Sequence, residues 1–122
     1  MKKIFILILL LFSTSVHSSE VEMNFSKDNF FKAKESGKTI VVNSWNKWCG
    51  TCIKQEKVFK QARKDFKDVL FLTFKQSNKD IAKLLNIDYR STIVIFKNNE
   101  EIVRAIGITK KEEIYSLIKS GT

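Results

Sequence analysis

The chain holds two cysteines, three residues apart in Trp48-Cys49-Gly50-Thr51-Cys52. A thiol pair at this spacing serves redox exchange, metal or cluster ligation, or a structural disulfide. Its position favours the first. The preceding run Thr39–Ser44 is β-branched and reads as a buried strand. The residues after it carry apolar side chains at helical spacing. At a helix start, an i, i+3 pair puts both sulfurs on one face and within disulfide reach. Cys49 meets the unsatisfied N–H groups and the positive dipole end of the first turn, which favour a thiolate. A thiolate is the species that attacks disulfides. Cys52, one turn deeper, is placed to resolve the mixed disulfide that Cys49 forms.

The other chemistries fit less well. A structural disulfide across so short a loop removes little chain entropy. A zinc site needs four ligands. The single histidine, His17, lies in the N-terminal leader described below, so the domain has no further Cys or His to offer and no metal site is expected. The same lack excludes Cys–His catalysis and a serine triad with an imidazole base. An iron–sulfur cluster bridging two chains through their CxxC pairs stays open as a rival. Redox exchange by the cysteines themselves needs no cofactor.

Lys2 and Lys3 precede the apolar run Ile4–Phe12, and a small, polar stretch follows to Ser19. This is the layout of a secretory signal peptide, with Val16 and Ser18 suited to a cut after Ser18. The run is much shorter than the roughly 20 residues of a membrane span. The expected organisation is a signal peptide at 1–18 and one domain at 19–122, located in the periplasm or secreted. An uncleaved anchor is the alternative. Such a compartment is oxidising and lets the pair form a disulfide. The 22 Lys and Arg against 13 Asp and Glu give +9; loss of Lys2 and Lys3 with the leader leaves +7. The lysines are scattered among acids with no aromatic–basic stripe, so nucleic acid is not an expected partner.

The elements that must hold the pair follow from patterning. Ser26 caps a helix to about Ser36, with Phe30, Phe31 and Ala33 inward, and Gly37 stops it. Thr39–Ser44 is a strand and Trp45–Cys49 a turn. A long helix runs from Gly50 to about Phe66, with Ile53, Val58, Phe59, Ala62 and Phe66 on its apolar side. Val69–Phe74 is a strand. Asn78 caps a short helix to about Leu85, with Ile81, Leu84 and Leu85 inward. Thr92–Phe96 is a strand, and Asn98-Asn99 turns into Ile102–Ile106. Thr109 caps a last helix with Ile114, Leu117 and Ile118 inward. The order α-β-α-β-α-β-β-α predicts an α/β fold: a parallel core, an antiparallel edge hairpin and helices on both faces.

Two motifs carry a family resemblance over most of residues 19–122. Trp45-Asn46-Lys47-Trp48-Cys49-Gly50-Thr51-Cys52 resembles the W-x-x-W-C-G-x-C of the thioredoxin superfamily. Ser91-Thr92-Ile93-Val94-Ile95-Phe96-Lys97-Asn98-Asn99-Glu100 is similar to its P-T-x-x-x-F-K-N-G-E, and Gly107 falls where the family has a glycine behind the site. The resemblance implies a thioredoxin-like fold with a central mixed sheet of about four strands flanked by helices. It implies Cys49 as nucleophile and Cys52 as resolver, Trp48 bordering the site and Trp45 beneath it. It also implies a substrate-binding edge at Ser91 and Thr92.

Four departures stand out. Ser91 takes the place of a cis-proline; a non-proline cis bond costs about 3–4 kcal/mol, which favours trans. Its backbone is expected to pair with an incoming peptide. Asn43 replaces a buried Asp and cannot act as a general base. Glu56 follows Cys52 by one turn, similar to the CxxC-K-x-x-E of periplasmic reductase domains, and is a candidate proton relay; the plain alternative is a surface Glu paired with Lys60. Lys57 replaces a helix proline, so a straighter helix is expected. Gly50-Thr51 lacks the histidine of strongly oxidising relatives. Together these suggest a monomeric thiol–disulfide oxidoreductase, a reductant more than an oxidant. Its expected partners are protein dithiols and disulfides and a membrane electron donor. The rivals are the cluster-bridged dimer and a binding module that kept the fold without the activity.

Overall fold

The computed structural model describes residues 23–122, so the leader at 1–18 lies outside the described residues. The elements are β1 Met23–Asn24, α1 Lys27–Glu35, β2 Ile40–Trp45, α2 Gly50–Asp65, β3 Leu70–Lys75, α3 Lys79–Leu84, β4 Thr92–Lys97, β5 Glu100–Ile106 and α4 Lys111–Ser120. Four long strands, with the two-residue β1 added at one edge, form a single sheet in the order β1-β3-β2-β4-β5. No helix among the described residues is long and apolar enough to cross a membrane.

The parallel part is smaller than the sequence order implies. β1, β3 and β2 are parallel, but β4 runs antiparallel to β2, with Val42 opposite Val94. The chain leaves β3 at the end of the sheet where β2 also finishes, and α3 and the segment after it keep it there, so that β4 starts from the same end. The first link is the Ser91 N–H donating to Ser44 O at 2.9 Å. β4 then returns through a tight turn into β5, with positive φ at both Asn98 (51°) and Asn99 (67°), the geometry that suits a right-twisted hairpin.

Strand alternation splits the core in two. Ile40, Val42, Leu72, Phe74, Val94 and Phe96 face α1 and α3 and pack on Phe25, Phe30 and Leu85. Val41, Ile93 and Ile95 face α2 and α4 and pack on Phe59, Ala62, Ile114 and Ile118. Helices thus cover both faces, as expected. The sheet is clamped rigidly, and the ends of β2 and β4 are held side by side.

Local details depart from the expected pattern. Ser26 and Asn78 cap their helices, accepting from the N–H groups of Asn29 and Ile81. The last helix is capped at Lys110, not Thr109, with no side-chain cap bond; Glu112 and Glu113 in its first turn favour the dipole instead. Phe31, Ile53 and Leu84 are exposed rather than inward. Each lies one residue beside a true core position, a difference of about 100° around a helix.

Candidate functional site

β2 ends at Trp45 and the chain turns through Trp48, whose φ of 61° puts it in the left-handed region. The Trp48 side chain is 96% exposed. Cys49 is extended and caps α2, its Sγ accepting from the Cys52 N–H at 3.1 Å. The first-turn donor expected to favour a Cys49 thiolate is therefore in contact with that sulfur. Cys49 and Cys52 form a disulfide, with 5.2 Å between their Cα atoms. Both are buried, at 2% and 8% exposure. One groove of about 310 Å³ approaches them, lined in part by Asn43, Trp45, Trp48 and Glu56. Trp45 is half-buried there, with Lys75 Nζ 5.4 Å from its ring centroid.

Ser91 comes to the pair from the start of β4. No peptide bond among the described residues is cis, so Ser91 is trans, and its φ is 64°. Its N–H donates to Ser44 O at 2.9 Å, and its carbonyl accepts from the Gly107 N–H at 3.0 Å and from Gln55 Nε2 at 3.0 Å. Its Oγ lies 3.3 Å from Cys49 Sγ and 3.1 Å from Cys52 Sγ. Thr92 is buried beside it, donating its N–H to Ser44 Oγ and its hydroxyl to Tyr89 O. Both backbone groups of Ser91 are thus engaged within the fold. The left-handed trans conformation turns the Ser91 backbone inward to partners within the fold. What Ser91 presents to the disulfide is its hydroxyl.

Glu56 lines the groove with Cys52, but its partner is not Lys60. Arg63 Nη2 holds Glu56 Oε1 at 2.7 Å, two turns along α2. Arg63 is buried with its Nε unpartnered among the described residues, while the Glu56 side chain keeps 33% exposure. A carboxylate so placed touches both the interior and the groove.

Behind the cysteines runs a buried polar chain. Thr73 Oγ1 donates to Asn43 Oδ1 at 3.3 Å, Asn43 Nδ2 to Gln55 Oε1 at 3.3 Å, and Gln55 Nε2 to the carbonyls of Ser91 and Ile108. Asn43 thus acts as an amide link. Gln55 and Arg63 were missed by reading the sequence for reactive residues. Their signal was positional: counted by threes and fours from Cys52, both fall on the stripe that carries Phe59, Ala62 and Phe66. Polar residues on a buried stripe must be hydrogen-bonded or paired, and here they are.

A mixed sheet of this order, with a disulfide at the junction of a central strand and the next helix, defines a thiol–disulfide oxidoreductase of thioredoxin-like fold. The chain belongs to the thioredoxin family, whose model matches residues 21–120. Among curated proteins it is 35% identical over 94 residues to a thioredoxin from Mycoplasma genitalium, covering 76% of this chain and 89% of that one. It is 31% identical over 91 residues to a thioredoxin H-type from Fagopyrum esculentum, covering 74% and 78%. Among solved structures, Trxlp from Edwardsiella tarda EIB202 superposes with a TM-score of 0.76 at 21% identity, over 80% of this chain and 98% of that one. The thioredoxin NaTrxh from Nicotiana alata superposes at 0.69 with 26% identity, over 81% and 90%.

Proposed function

We propose that this oxidoreductase is an exported, periplasmic reductant of protein disulfides that works as a monomer. The observation that carries the reading is the buried Cys49–Cys52 disulfide at the start of α2, with the Cys52 N–H on Cys49 Sγ. In the reduced protein the Cys49 thiolate attacks a partner disulfide. A Cys49–partner bond forms and the other partner sulfur leaves, taking up a proton. Cys52, deprotonated, then attacks Cys49 Sγ, and the second partner sulfur leaves in turn. Two electrons pass from the Cys pair to the partner, and the pair is left as the disulfide. A dithiol on a membrane electron donor resets it by the reverse steps.

The leader at 1–18 supports export, and the absence of a histidine between the cysteines supports the reducing direction. So does Glu56, whose negative charge opposes a neighbouring thiolate. Glu56 in the groove serves as proton relay to Cys52, and exposed Trp48 meets the partner beside Cys49.

The test is trapping with Cys52→Ser in a periplasmic extract, joined to a redox equilibrium with glutathione. Covalent Cys49 adducts with extracted proteins and a potential near about −270 mV support the reading; a potential near about −120 mV makes the protein an oxidant and overturns it. A coloured dimer from oxygen-free purification would establish the cluster-binding rival, and absence of any adduct would establish the inactive module.

A further inference from the structure

We infer that the Ser91 hydroxyl is a catalytic hydrogen-bond donor to both redox sulfurs, tuning their thiolates alongside the Cys52 N–H of the Cys helix. The inference rests on the redox reading of the pair and goes beyond it, because it gives a share in the potential to the side chain just before β4.

The geometry leaves the hydroxyl no other use. Its only neighbours at hydrogen-bond distance among the described residues are Cys49 Sγ at 3.3 Å and Cys52 Sγ at 3.1 Å. Ser91 is 4% exposed, so bulk water does not compete freely for its proton. The backbone around it is fixed at both ends, by Ser44 on one side and by Gly107 and Gln55 on the other. Gln55 is itself fully buried and held by Asn43 and by Ile108 O. A left-handed φ at a serine is uncommon. Here three hydrogen bonds hold it, and the result is an Oγ nearly equidistant from the two sulfurs.

A donor so placed acts in both half-reactions. When the pair is reduced and Cys49 is the thiolate, its sulfur has two donors, the Cys52 N–H and the Ser91 O–H. When a dithiol attacks the oxidised pair at Cys49, the Cys49–Cys52 bond breaks and Cys52 leaves as the thiolate. The same hydroxyl then turns to Cys52 with no movement of its oxygen. No proton is transferred to or from Ser91. Hydrogen bonds to a charged acceptor are the strong ones, and they favour the charged form. Ser91 therefore lowers the Cys49 pKa and stabilises the reduced state, making the protein a milder reductant than its Cys helix alone would be.

The test compares the full chain with Ser91→Gly and Ser91→Ala. Glycine suits the left-handed backbone and alanine does not, so the two variants differ in stability while both lack the hydroxyl. The readouts are the pH profile of iodoacetamide alkylation of the reduced protein and the equilibrium with glutathione. We expect both variants to raise the Cys49 pKa by about one unit and to shift the equilibrium about tenfold, or about 30 mV more negative. An unchanged alkylation profile in Ser91→Gly overturns the inference, as does a shift confined to Ser91→Ala, which would trace to the backbone. Should the parent prove an oxidant while both variants still shift, the reducing direction fails and the role of Ser91 stands.

Discussion

Arg63 reaches back two turns along α2 to hold the Glu56 carboxylate, Nη2 to Oε1 at 2.7 Å, with the guanidinium buried and the carboxylate at the wall of the groove to Cys52. The pair joins the buried face of α2 to the wall of the groove that leads to the cysteines. Among the described residues Arg63 has no other partner for its buried charge, whereas Glu56 retains contact with solvent. Loss of either one therefore has unequal consequences.

Removing the carboxylate strands a buried cation, which costs more than the pair gains. Glu56→Gln is expected to destabilise the fold by about 2 kcal/mol, reduced from the range for fully buried pairs because Glu56 is partly solvated. Urea melts of Glu56→Gln, Arg63→Met and the double variant measure this; a coupling below about 0.5 kcal/mol would contradict the pairing. If Glu56 relays protons to Cys52, Glu56→Gln also slows turnover against a protein disulfide by about tenfold or more while leaving the Cys49 alkylation rate at saturating pH unchanged.

Gln55 positions the site without touching a sulfur. Gln55→Leu keeps the volume near but deprives the buried Ser91 carbonyl of one of its two donors and the part-buried Ile108 carbonyl of its Gln55 donor. The expected cost is about 2–4 kcal/mol, read from the urea midpoint. If Gln55 holds Ser91 in place, the alkylation profile of Cys49 moves in the same direction as in Ser91→Gly. A stable Gln55→Leu protein with the parental profile would show that the amide is structural only.

Tyr115 on α4 donates to Asp65 Oδ2 at 2.6 Å at the end of α2. Desolvation first, and then the Asp65 carboxylate, push the phenol up to about 12, above its ordinary value of 10.0. The folded state thus holds the phenolic proton more tightly than the unfolded chain. That contribution to stability is fully present below pH 10 and is lost as pH rises from about 10 to about 12. Tyr115 holds Asp65 below the usual carboxylate range, so a second, exposed contribution fades as pH falls through the acid range. Tyr115→Phe is expected to remove the tyrosinate absorbance step near pH 12 and to flatten the alkaline loss of stability; a step that persists in the variant would refute the assignment.

The cysteine spacing, the strand before it and the helix after it were legible in the chain because each is local. Period-two and helical patterning place the elements to within a residue or two, and a turn such as Asn98-Asn99 states its own geometry. The direction of β4 was not legible. It depends on which end of the sheet the segment between β3 and β4 delivers the chain to, which no local pattern holds.

Sequence alone determined the fold class, the redox pair and the departures at Asn43, Glu56 and Ser91. It could not say what Ser91 does, because that residue lies 42 positions from Cys49 and its partners come from β2, α2 and the residue after β5. Only the tertiary structure turned its backbone inward, set its hydroxyl against both sulfurs and placed Gln55 behind it. Residue type fixes which hydrogen bonds are possible; packing in three dimensions decides which of them are made.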